Sequence, residues 1–121
     1  MKRLLGVAAA LLPCLMMLAA CRSHQIECTV KNRTGAPIEL LEVDYPSASF
    51  GLDSLANGAD YSYKFQVRGS GQVTAAYTVT ATHAPVKITG PEVEENQQGT
   101  LEIVLMPDGK AEFYPALSGP K

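Results

Sequence analysis

Tryptophan is absent from the 121 residues, and histidine occurs only at positions 24 and 83. Without a tryptophan and without two cysteines spaced across a domain, an antibody-type domain is excluded, because its core packs a tryptophan on an inter-sheet disulfide. No His-x-His or Cys-x2-Cys pair occurs, so the donor spacing of a zinc site is missing. The stretch "CRSHQIEC" brings Cys21, His24 and Cys28 close in sequence, but the alternation that follows turns Cys28 towards a core. In "DSLANGAD", Asp53, Asn57 and Gly58 fall on EF-hand positions, whereas Leu55 holds the third position and Lys64 the twelfth, where a lysine repels the cation. No metal or other cofactor is expected. No G-x-S-x-G is present, and "RGSGQ" reads as a turn rather than a strand-to-helix elbow. His83 is left as the one general base on which a small hydrolase could be built, and a non-enzymatic protein is the expectation.

Charge is also missing from one long stretch. Residues 4–20, "LLGVAAALLPCLMMLAA", carry none, and Lys2-Arg3 precede them. A basic start, an apolar run and small residues before a junction make a secretory signal peptide. Seventeen residues interrupted by Pro13 are short of the roughly 20 that span a bilayer. The junction itself, Leu18-Ala19-Ala20-Cys21, resembles the lipobox of bacterial lipoprotein precursors: an aliphatic residue, two small residues, then cysteine. The resemblance covers residues 1–21 and implies cleavage between Ala20 and Cys21, a diacylglyceryl thioether on Cys21 and acylation of its new α-amine. Sulfur suits this chemistry because a thiolate is a soft nucleophile. Two or more acyl chains hold a protein stably, at about 0.8 kcal/mol per buried CH2. Arg22, where this class often carries aspartate for inner-membrane retention, leans towards the outer membrane, facing the periplasm.

Loss of the leader removes Lys2 and Arg3 and leaves eight basic residues against twelve acidic ones, net −4. Nothing basic remains to track phosphates, so nucleic acid is not an expected partner. Cys14 leaves with the leader and Cys21 is consumed by its lipid, so Cys28 stays alone in an oxidising compartment and is read as a core residue.

What is present is a period of two. Ile26, Cys28 and Val30 alternate with Glu27, Thr29 and Lys31. "IELLEVDY" slips phase, which calls for either burial of both faces or a bulge near Leu40-Leu41. A short strand around Ala48-Phe50 precedes the Asn57-Gly58 turn signal. Tyr61, Tyr63, Phe65 and Val67, then Val73, Ala75, Tyr77 and Val79, alternate on either side of Gly69-Ser70-Gly71, which reads as a β-hairpin with its aromatics inward. "VKIT", "TLEIVLM" and "KAEFY" complete the strands. The expectation is an all-β, immunoglobulin- or fibronectin-like antiparallel β-sandwich of about seven strands, with a small β-barrel as alternative. The domain plan is a signal peptide at 1–20, a lipidated tether at 21–25, the sandwich at 26–115 and a flexible tail at 116–121.

The expected function is a lipid-anchored module of the bacterial envelope, held to the membrane through Cys21, that docks a protein partner. The outward hairpin residues Ser62, Lys64, Gln66 and Arg68, beside Thr74, Ala76, Thr78 and Thr80, are the candidate surface, Lys64 and Arg68 supplying charge. A carbohydrate- or peptidoglycan-binding lipoprotein is the alternative, using Tyr45, Tyr114 or the "SASFGLDSL" loop, the two tyrosines as stacking platforms if they are exposed together.

Overall fold

The computed structural model describes residues 24–119. The leader, the Ala20-Cys21 junction and the lipidation site lie outside the described residues. Eight strands follow one another: β1 (Ile26–Asn32), β2 (Ile38–Tyr45), β3 (Ala48–Leu55), β4 (Asp60–Phe65), β5 (Gly71–Val79), β6 (Ala84–Val93), β7 (Gln98–Met106) and β8 (Lys110–Ser118). They form two four-stranded sheets, β4-β1-β7-β8 and β3-β2-β5-β6, packed as an open sandwich and not as a closed barrel. All pairs are antiparallel except β1 with β7, which run parallel from Ile26 beside Gly99 to Asn32 beside Leu105. The size is that of an immunoglobulin domain, but the strand order differs: the first two strands, neighbours in the immunoglobulin constant sandwich, stand in opposite sheets.

Period-two patterning explains the core. Ile26, Cys28 and Val30 of β1 and Leu101, Ile103 and Leu105 of β7 point inward, fully buried, against Ile38, Leu41 and Val43 of β2 and Val73, Ala75 and Tyr77 of β5. Each such aliphatic side chain contributes about 1.5–3 kcal/mol on leaving water. Burial pushes the Cys28 thiol up to about 12, so it stays a neutral, small apolar group. Among the described residues Asn32 is the one buried polar side chain. Its Nδ2 donates to the carbonyls of Ala36 and Leu55 (2.9 and 3.1 Å), and its Oδ1 accepts from the Thr34 backbone N–H and hydroxyl. It thereby fixes the crossing from β1 to β2 against the end of β3.

Four sequence-based expectations change. β4 and β5 are not a hairpin: β4 pairs with β1, β5 with β2 and β6, and residues 66–70 cross from one sheet to the other. Alternation reports which way side chains face and is silent on which strand is the neighbour. Both halves of the stretch keep their inward phase, but Tyr63 is 42% exposed because β4 is an edge strand. β3 extends through Leu55, and β6 runs on through Gly90-Pro91. β8 continues through Pro115 to Ser118, because Leu101, Thr100 and Gly99 of β7 supply partners for what was expected to be a tail.

The phase slip in β2 is a bulge. Its register with β5 shifts between Glu39 and Glu42, and Leu40 takes φ +53°. Continued alternation from Ile38 would turn Leu40 inward and Leu41 and Val43 out. The extra residue reverses that, burying Leu41 and Val43 and leaving Leu40 62% exposed.

Candidate functional site

The outer faces of the two sheets differ in how they treat charge. On the β4-β1-β7-β8 sheet, Lys31 and Glu102 form an ion pair, Glu27 stands opposite Lys64, Thr29 and Ser62 share a hydrogen bond of 2.8 Å, and the Tyr114 hydroxyl donates to Glu112 Oε1 at 2.6 Å. This face pairs its own polar groups. On the β3-β2-β5-β6 sheet, the register places Glu39, Glu42 and Asp44 of β2, Asp53 of β3 and Glu92 of β6 outward, with Lys87 of β6 as their basic neighbour. Asp44, two residues from Glu42 and on the same face, hydrogen-bonds to its carboxyl and repels its charge. The Glu42 carboxyl is therefore held above its ordinary range, and Lys87 offsets this only in part.

Leu40 projects from the middle of that acidic face. Around it lie Ala76 and Thr78 of β5, Pro85 and Lys87 of β6 and, on the other side, Glu42, Gly51 and Asp53. Two shallow depressions result, one on each side of the leucine. Gly51 has a local reason: a Cβ there would stand 2.8 Å from the Leu41 carbonyl oxygen. Its missing side chain leaves Glu42, its cross-strand partner, uncovered. A leucine in the left-handed region costs about 1–2 kcal/mol, and an exposed one recovers little of that by burial. The arrangement joins backbone strain, an exposed apolar side chain and unneutralised charge in one place.

An aromatic row closes the side of the sandwich where β3 faces β4. Tyr45 stacks on Phe65, centroids 3.9 Å apart, and Phe50 stacks on Tyr63 at 4.7 Å. Pairs of this kind contribute about 0.5–1.5 kcal/mol beyond their buried area. Burial and the neighbouring Tyr63 hydroxyl both raise the Tyr45 phenol above its usual range.

The four residues read from sequence as binding candidates are not brought together. Tyr45 is half-buried at the end of β2 in one sheet, while Tyr114, 50% exposed, lies on the outer face of the other. Lys64 lies on β4 opposite Glu27, and Arg68 sits in the crossing between sheets. The Thr-rich residues Thr74, Ala76 and Thr78 belong to the acidic face rather than to Lys64. His83 is exposed in the β5–β6 turn at φ +57°, its backbone N–H donating to the Val79 carbonyl at 2.7 Å. Among the described residues no group of three His, Cys, Asp or Glu side chains is placed to hold a metal, and no helix is long and apolar enough to cross a membrane. The sequence left the slip as either burial of both faces or a bulge, and Leu40 was missed as a surface feature. The signal was there: of two adjacent leucines on one strand, a bulge must leave one outside.

No protein-family model matches the chain, and no curated protein matches it. A solved structure described as the NMR structure of a protein from Eubacterium rectale is similar in fold, with a TM-score of 0.59 and 5% sequence identity, over 75% of this chain and 87% of that one. At that identity the likeness concerns the fold alone.

Proposed function

We propose that the protein is a lipid-anchored lipoprotein of the bacterial envelope, a non-enzymatic module that docks a protein partner through the outer face of the β3-β2-β5-β6 sheet. The single observation that carries the docking is Leu40, 62% exposed at φ +53° among Glu42, Asp53 and the other unneutralised carboxylates of that face. The anchor rests on the leader and on Leu18-Ala19-Ala20-Cys21. Four residues separate Cys21 from the start of β1, so the tether keeps the sandwich within roughly 20 Å of its lipid. Outer-membrane placement follows from Arg22 by the same resemblance.

Mass spectrometry of the N-terminal peptide from envelope preparations tests the anchor. The expected product begins at Cys21 and carries a thioether-linked diacylglyceryl group and an acylated amine. An unmodified thiol at that position refutes it. For the docking, Leu40→Ser is expected to abolish partner retention in detergent-solubilised envelopes while leaving anchoring and folding intact; unchanged retention refutes docking through this face.

A further inference from the structure

We infer that the free edge of β3 receives an extended strand of the partner, whose residues alternate between apolar side chains facing the sandwich and lysine or arginine facing outward. This deepens the docking reading and rests on it.

Among the described residues the sandwich has four sheet edges: β4 and β8 in one sheet, β3 and β6 in the other. Three are guarded. β6 carries Pro85 and Pro91, β8 carries Pro115 with Lys110 and Glu112, and β4 is only six residues long and bears Lys64. β6 and β8 also lean on each other, Phe113 lying over Gly90. Prolines, lysines and short length are the devices by which natural sheets keep foreign strands off an edge. β3, "ASFGLDSL", has none of them: eight residues, no proline, no lysine or arginine, and one charge, Asp53. An edge of unpaired N–H and C=O groups is the template for strand addition.

The side chains beside that edge specify what fits. Inward, Phe50 with Tyr63 stacked on it forms an aromatic ledge from β3 to β4, and Tyr63 is 42% exposed. Residues of an added strand that face the sandwich land on this ledge and cover it, which requires them to be apolar. Outward, the neighbour of the added strand is Ser49-x-Gly51-x-Asp53. A strand pairs about 4.8 Å away, and a basic side chain lying across Gly51 meets nothing before Glu42, with Asp53 beside it. The charge argues against a second copy of this chain as occupant. Pairing β3 with itself would set two acidic faces edge to edge, each with Glu39, Glu42, Asp44, Asp53 and Glu92 against Lys87.

The test uses the purified full chain in detergent and a nine-residue capped peptide of alternating Val and Lys. Controls are a Val–Glu alternation, the same Val and Lys residues segregated into two blocks, and the alternating peptide N-methylated at every second residue. Binding is read by fluorescence anisotropy, and its site by hydrogen exchange of individual amides. The Val–Lys peptide is expected to protect amides within 48–53 and to bind at least about tenfold more tightly than Val–Glu, N-methylation removing the binding. Glu42→Lys and Asp53→Lys, both at exposed positions, should each weaken it about tenfold at unchanged Tm. Equal binding of the segregated or N-methylated peptide overturns the inference. So does protection at β4, β6 or β8, or β3 amides already protected by a concentration-dependent dimer. If the peptide fails while Leu40→Ser still releases the native partner, the edge is refuted and the docking face stands. If the peptide binds while Leu40→Ser releases nothing, the docking reading fails.

Discussion

Leu40 combines a backbone conformation that L-residues resist, the bulge that turns Leu41 and Val43 into the core, with an apolar side chain left in water. Replacing it with glycine removes a strain of about 1–2 kcal/mol and adds a chain-entropy cost of about 0.5–1 kcal/mol. Leu40→Gly is therefore expected to raise stability by up to about 1 kcal/mol in urea unfolding, and to lose the partner. A clear loss of stability would mean that the leucine supports the fold. Asn32 is its opposite, a polar side chain with its hydrogen-bonding groups satisfied inside the protein. Asn32→Ala leaves the carbonyls of Ala36 and Leu55 short of a donor, and a cost of about 2–4 kcal/mol is expected from the orphaned groups and the vacated volume. Cys28 behaves as a hydrophobe. Its thiol, raised to about 12 by burial, keeps its proton in the folded chain, while the unfolded thiol ionises near its ordinary value of about 8.5. The stability this group contributes is complete below the unfolded value and falls as pH rises from there towards 12. Iodoacetamide at pH 8 should accordingly leave Cys28 unlabelled in the native protein and label it on unfolding; native labelling would contradict its burial.

At the scale of the elements, closure of the sandwich depends on glycines that admit a neighbour. A Cβ at Gly90 would come within 2.5 Å of the Phe113 ring, so Gly90→Ala should cost about 1–3 kcal/mol in denaturant unfolding. A neutral effect would show that β6 and β8 are not tightly packed there. Elements were legible in the sequence wherever one face was buried. Ile26-Cys28-Val30 and Leu101-Ile103-Leu105 gave their strands directly, and the Leu40-Leu41 slip left a bulge as one of two readings. Pairing was not legible. Gly69-Ser70-Gly71 has the composition of a hairpin turn, yet β4 finds its partner in β1, more than thirty residues upstream. No local signal carries that choice, because the partner strand is distant in sequence. β8 beyond Tyr114 was illegible for a related reason: "PALS" has weak strand character of its own and is held by the edge of β7.

Over the whole molecule, one sheet neutralises its outward charges and the other leaves carboxylates around a leucine. The candidate site was only partly readable beforehand. Its acidic residues and Leu40 stand in the sequence, but the assembly of β2, β3, β5 and β6 into one face depends on a topology that alternation does not specify. Tyr45, Tyr114, Lys64 and Arg68 attracted notice by residue type, and the fold distributes them over both sheets and a crossing. The most direct measurement is photo-crosslinking in living cells from the full-length protein, with a photoreactive residue at position 40 and, as control, at Thr100 on the opposite outer face. Docking through the acidic face predicts a discrete adduct from position 40 that Glu42→Lys removes, and none from position 100. No adduct from position 40, or equal adducts from both, would contradict it.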